Sequence, residues 1–137
     1  LTEKFTQTDF KQLMRHLSDR DLRMLIALAS IGEHYRPLNL QGLDLTNADL
    51  RHGFLNNANL TDVDLTNANL ENALMFGAYL HDANLTGANL RNADLTNAYL
   101  RGTKFTNADL RGAKFSGAMF KDTDFSGAIT DSSTIGL

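Results

Sequence analysis

The sequence predicts an all-β solenoid, a chain wound into stacked coils. Three rows of residues predict it. From Leu40 to Phe125 every fifth residue is Leu, Met or Phe, about eighteen in unbroken series. Two residues before most of them stands a small one, as at Ala48, Ala58, Ala68, Ala78, Ala88, Ala98 and Ala108. Two residues after most of them stands a turn former: Asn47, His52, Asn57, Asp62, Asn67, Asn72, Gly77, Asp82, Gly87, Gly102, Gly112, Gly117. A period of five matches neither the roughly 3.6-residue turn of a helix nor the roughly two-residue alternation of a long strand. A fixed repeat of this kind marks stacked supersecondary units.

One unit, Ala88-Asn89-Leu90-Arg91-Asn92, shows how the winding arises. Ala88 and Leu90 are two apart, so in extended chain they share one side, while Asn89 and Arg91 point away. The large residue fills the axis, and the small one fits where wall meets corner. Asn, Asp and Gly suit the corner because they tolerate left-handed dihedrals or bond to local backbone.

Units such as Ala48-Asp49-Leu50-Arg51-His52, Ala58-Asn59-Leu60-Thr61-Asp62, Ala93-Asp94-Leu95-Thr96-Asn97 and Ala108-Asp109-Leu110-Arg111-Gly112 resemble the pentapeptide-repeat family, whose motif reads A(D/N)LxX. The resemblance covers residues 38–132. It implies a right-handed quadrilateral parallel β-helix, with four repeats to a coil. Coils stack at strand spacing, about 4.8 Å, which gives between four and five coils in a rod on the order of 23 Å long. Gly53, Val63, Thr103 and Thr123 depart from Ala, and Met75 from Leu. Phe54, Leu74, Tyr79, Tyr99, Lys104, Lys114, Met119 and Ile129 depart from the outward Asn or Asp.

Residues 1–37 break the repeat and read as a helical hairpin that caps the first coil. Thr8 suits an N-cap, before Phe10, Leu13, Met14 and Leu17 at helical spacing. Ser18 suits a second N-cap, with Asp21 in the capping-box position where Glu or Gln is more usual. Leu22, Leu25, Ile26 and Ala29 form the second stripe, widened by Met24, Leu28 and Ile31. Gly32 reads as a stop and Pro37 as the entry to the repeats. A raw solenoid end has unpaired backbone and an exposed axis, so a cap is expected. The tail, 133–137, is too short for a comparable cap. The chain opens at Leu1 rather than Met, which reads as a processed form or an excised piece of something longer.

With twenty residues to a coil, residues twenty apart stack, and four faces follow. The first carries a hydroxyl ladder, Thr46, Thr66, Thr86, Thr106 and Ser126, expected to pair across rungs. The second carries Arg51, Glu71, Arg91 and Arg111, a solvated wall of mixed sign. The third and fourth share an edge and bring forward Phe54, Leu74, Phe76, Tyr79, Tyr99 and Met119. Single exposed apolar residues are ordinary, but a contiguous patch marks an interaction site. Tyr with flanking His81 and Arg101 has the composition of interface hot spots. A second contact is expected at the C-terminal end, where Phe115, Phe120, Phe125 and Ile129 are expected at an open edge, closed by a two-fold homodimer.

Catalysis needs converging groups in a sheltered pocket. Here His16, His34, His52 and His81 are scattered, and no phosphate-cradling loop is present. The chain has no cysteine, which removes thiolate chemistry and disulfides. No apolar run approaches a membrane span, and no signal peptide is visible, so the expectation is cytoplasmic. No cofactor is implied. Asp62, Asp82 and Asp122 share a corner column that a hard cation would suit, although corner Asp more often serves the turn. The reading is a non-catalytic protein-interaction or scaffold module of a bacterial protein, with no direct nucleic-acid contact. The resemblance also admits a DNA mimic acting on gyrase, as in the quinolone-resistance pentapeptide proteins, or a structural assembly module. Mimicry needs a sustained negative surface. The repeats carry eleven acids against seven bases from Leu38 onward, with a formal charge of −3 over the chain.

Overall fold

The computed structural model describes residues 8, 12, 17–29 and 37–137. Each repeat places one residue in an isolated parallel bridge, and every bridge but the last joins residues twenty apart. The series runs from Asn39↔Asn59 through Tyr79↔Tyr99 to Asp109↔Ile129. Twenty residues therefore complete one coil, with four bridges around it. The strand character of this β-helix is confined to that single residue per repeat, and turns occupy most of the rest.

The turns explain the period. The amide of the small residue donates to the carbonyl of the preceding axial residue, as in Ala48 N to Leu45 O at 3.0 Å and Ala73 N to Leu70 O at 3.0 Å. The third residue of that turn takes a left-handed φ. Every predicted corner does so, from Asn47 at 60° to Gly117 at 69°. Asn and Asp tolerate this region better than other side chains, and Gly does so without cost. Between coils, Leu45 N donates to Asp64 O at 2.8 Å and Asp64 N to Leu43 O at 2.9 Å, a pattern that repeats along the rod.

The outward Asn and Asp have a structural task that their polarity conceals. Their Oδ1 accepts the amide two residues on: Asn59 from Thr61 at 3.1 Å, Asp64 from Thr66 at 3.0 Å, Asp94 from Thr96 at 3.0 Å. Each such bond holds the chain at the entry to a corner. The hydroxyl ladder expected across rungs is instead bonded mainly within them. Thr66 and Thr86 donate to Asp64 and Asn84 of their own rung, both at 2.6 Å, and only Thr106 reaches the next, to Asp124 at 3.2 Å. The short reach to Oδ1 in the same rung outcompetes the neighbouring coil.

The axis is a continuous apolar column. Leu50, Leu55, Leu60, Met75, Leu90, Phe105 and Phe115 are fully buried, together with the Ala row from Ala58 to Ala113. Burying a Leu or Phe side chain contributes about 1.5–3 kcal/mol. Near the C-terminal end Phe105 stacks on Phe125 at 5.2 Å and meets Phe115 edge-on at 5.9 Å.

At the N-terminal end, helix α1 spans Asp19–Ala29. Ser18 caps it. Asp21 N donates to Ser18 Oγ at 3.3 Å, and Ser18 N and Oγ donate back to Asp21 at 3.3 and 2.7 Å. Leu22 and Ile26 are buried in the same apolar cluster as Leu40, Leu43 and Leu45. Leu25, expected in the buried stripe, is 41% exposed, because α1 turns only a narrow face to the solenoid. Of the first helix of the expected hairpin, Thr8, expected as its N-cap, is itself helical and Leu17, expected in its stripe, is not; Phe10, Leu13 and Met14 lie outside the described residues, as do Ile31, Gly32, His16 and His34 and the side chains of Leu28 and Ala29.

At the other end the register slips. Lys114 bridges Ile135, an offset of twenty-one, so one extra residue enters after Ile129. Thr134 then takes the small-residue position and its Oγ1 donates to Leu110 O at 2.9 Å. Gly136 follows with φ 87° against the backbone of Phe115.

Candidate interaction face

The predicted strip resolves into two columns on either side of the corner row Asn57, Gly77, Asn97, Gly117. On the third face Phe54 bridges Leu74, and that column then passes to Asp94 and Lys114. Phe76 lies exposed in the rung of Leu74, its amide accepted by Asn56 Oδ1 from the coil before at 2.9 Å. On the fourth face Tyr79 bridges Tyr99, and Tyr99 bridges Met119. The two tyrosine rings stack, centroids 4.6 Å apart and 4° from parallel. His81 leans against both, at 6.4 and 6.1 Å. Its Nδ1 is shielded from solvent and has no hydrogen-bond partner. Tyr79 is 41% exposed and Met119 54%. Arg101 is exposed and Tyr99 half-buried.

These residues carry a structural cost. A Tyr, Leu, Phe or Met in the outward position cannot supply the Oδ1 to which the turn amide of other rungs donates. A local bond of this kind is worth about 0.5–1.5 kcal/mol. Phe54, Leu74, Tyr79, Tyr99 and Met119 forgo it on two adjacent faces, although in the rung of Leu74 the Phe76 amide finds Asn56 Oδ1 instead. Beneath Tyr79 the surface opens into a groove of about 440 Å³ lined by Pro37, Leu38, Asn39, Asn57, Asn59 and Thr61.

Electrostatics separate this face from the second one. There Asp49 receives Arg51 in a fork, Nε to Oδ1 at 2.9 Å and Nη2 to Oδ2 at 2.7 Å. Asp109 receives Arg111 in the same way at 2.9 and 2.6 Å. Arg91 approaches Asp109 at 4.0 Å, and Arg23 of α1 pairs with Asp49. Hydrogen bonds from Arg51, joined by Arg23, hold the Asp49 carboxyl well below the usual carboxylate range. Hydrogen bonds from Arg111 lower that of Asp109. On the fourth face Tyr79, Tyr99 and Met119 stand where those aspartates would be, two residues before His81, Arg101 and Lys121. Among the described residues neither Arg101 nor Lys121 forms an ion pair.

The end residues fall into two groups. Phe115, expected at the open edge, is fully buried, because the slipped tail closes over it: Phe115 N donates to Ile135 O at 2.7 Å. Phe120 is 41% exposed and Ile129 is exposed, while Phe125 is half-buried against the axis. Phe120, Phe125, Thr130 and Leu137 line a hollow of about 350 Å³.

Asp62, Asp82 and Asp122 sit in exposed corners with left-handed φ. Among the described residues no group of three or more His, Cys, Asp or Glu is placed to hold a metal. Among them too, no helix is long and apolar enough to cross a membrane.

The family model for pentapeptide repeats matches residues 39–75, 73–112 and 93–129, in eight copies. The chain belongs to the pentapeptide-repeat family. Among solved structures it is similar to a pentapeptide repeat protein of the Arabidopsis thaliana thylakoid lumen, at 33% identity over 68% of this chain and 61% of that one, TM-score 0.51. A pentapeptide repeat protein of Nostoc PCC 7120 shares the fold at 23% identity, over 83% of this chain and 96% of that one, TM-score 0.51. Another, from the cyanobacterium Cyanothece 51142, is 34% identical over 75% of this chain and 67% of that one, TM-score 0.41. The chain thus spans less than two thirds of the thylakoid protein's length. None of the curated proteins matches it. Pentapeptide-repeat proteins are in general non-catalytic structural modules.

Proposed function

We propose that this pentapeptide-repeat chain is a non-catalytic interaction module that binds a protein partner through Phe54, Leu74, Phe76, Tyr79, His81, Tyr99, Arg101 and Met119. In this reading the rod has between four and five right-handed coils, and α1 belongs to a cap on its first coil. The observation that carries the reading is the partly exposed Tyr79–Tyr99 stack, which occupies two outward positions that elsewhere carry the Asn or Asp of the local turn bond. Aromatic groups held rigid by stacking contribute contact area at low entropic cost. The DNA-mimic alternative is the weaker one, because Asp49 and Asp109 are each neutralised by arginines of the same wall.

A photo-crosslinking residue placed at Thr61, in the same face, tests the proposal in an extract of the source cells. Thr86, on the first face, serves as the control position. The expected result is a discrete crosslinked protein from the first position and none from the second. Equal labelling at both overturns the assignment of the face.

A further inference from the structure

We infer that the partner segment seated on the fourth face is acidic: an extended peptide that places carboxylates on Arg101 and Lys121 and apolar side chains beside Tyr79 and Met119. This deepens the proposed function and rests on it. The second face shows what the fold does with a basic residue at the same rung position. Arg51 and Arg111 are each forked onto the aspartate two residues before them. On the fourth face the residue two before each base is Tyr79, Tyr99 or Met119. One set of substitutions thus removes the neutralising carboxylate and supplies an apolar neighbour. Arg101 and Lys121 are both exposed and lack an ion pair among the described residues.

The spacing suits a peptide. Arg101 and Lys121 stand one coil apart, about 4.8 Å at the backbone, and carboxylates two residues apart in extended chain lie about 6.7 Å apart, within reach of both flexible side chains. The groove beneath Tyr79, at about 440 Å³, accepts one apolar anchor in continuity with the same column. The charge pattern disfavours a nucleic-acid strand. Asp82 and Asp122 flank the basic column at its corner, where they repel a continuous run of phosphates but leave discrete carboxylates room to avoid them. The stacked rings of Tyr79 and Tyr99, 4.6 Å apart, leave no gap for a base between them.

The test is an amide-shift titration of the whole chain with three synthetic peptides, alternating Glu-Leu, Ser-Leu and Lys-Leu, and with an oligothymidylate. The expected result is saturable shifts at Tyr79, His81, Tyr99, Arg101 and Lys121 with Glu-Leu alone. The double variant R101E/K121E, at exposed positions, should keep the parent unfolding curve, weaken Glu-Leu by about tenfold or more and gain affinity for Lys-Leu. Equal binding of Ser-Leu overturns the acidic inference but leaves the interaction face standing. Tighter binding of oligothymidylate, or an unchanged Glu-Leu affinity in the double variant, overturns the inference in favour of another ligand. Absence of shifts on this face with every peptide overturns it too, and failure of the crosslinking experiment as well would remove the parent reading.

Discussion

Arg23 of α1 pairs with Asp49 of the solenoid wall, and Asp49 is at the same time forked by Arg51. The carboxylate therefore ties the helix to a rung that already holds its own base. Beside Leu22 and Ile26, this pair sets where α1 sits on the first coil.

An acid dependence follows. Both Asp49 and Asp109 have folded pKa values depressed by their arginines. Their contribution is fully present above the unfolded value, about 3.9, and is lost as pH falls through the folded value. Denaturant midpoints should fall as pH drops below about 4. Asp49→Asn should show a shallower fall than the parent. The step is modest because both groups are partly solvated. Identical acid limbs in parent and variant would show that the Arg23–Asp49–Arg51 cluster stabilises nothing.

The aromatic end of the axis gives a graded prediction. Phe115 is fully buried among Phe105, Phe120 and Phe125, so Phe115→Ala should cost about 3–5 kcal/mol. Phe120 is partly exposed, and Phe120→Ala should cost less than half as much. Chemical denaturation of the pair decides it. Equal costs would contradict the burial of Phe115 under the tail.

Two glycines should respond differently to the same methyl group. A Cβ on Gly102 meets the mobile carboxylate end of Asp82, which can swing aside, leaving mainly the left-handed strain of about 1 kcal/mol. A Cβ on Gly136 lies 2.7 Å from the backbone of Phe115 and Ser116, which cannot yield. Gly136→Ala should detach the tail and expose the Phe115 amide to hydrogen exchange, whereas Gly102→Ala should leave that amide protected. Unchanged protection in Gly136→Ala would mean the tail does not lie on Phe115.

Tyr79→Asn should separate stability from binding. Asn restores the Oδ1 acceptor for the turn amide, worth about 0.5–1.5 kcal/mol, and loses a ring stack of about the same size. The unfolding midpoint should therefore hardly move, while partner binding falls. A large loss of stability would identify the tyrosines as packing residues rather than contact residues.

The rows made the coil and its corners legible. Every residue predicted as a corner has left-handed φ, because the constraint is local and Asn, Asp and Gly answer it directly. The Asx bond from the outward position was also within reach of the sequence, since it spans only two residues. Other features are not local. The Arg23–Asp49 pair depends on how α1 approaches the wall. The burial of Phe115 depends on one extra residue after Ile129, and the repeat pattern has by then faded. The strip was legible as two columns on adjacent faces that share an edge, since the bridge register follows from the period. The contrast between the neutralised arginines and Arg101 lies in side-chain forks that residue order alone does not reveal.

The twenty-residue bridge register has a consequence for how such a chain tolerates change in length. Gain or loss of one five-residue unit keeps a large apolar residue at every axial position, yet it advances all later residues by one side. An inserted repeat between Asp49 and Tyr79 would carry the tyrosine stack a quarter turn around the rod relative to α1, while the core stayed intact. Only whole coils of twenty conserve the angular phase between the helix and the aromatic face. The rod thus behaves as a dial: its stability reads the residue modulo five, and its recognition surface reads the residue modulo twenty.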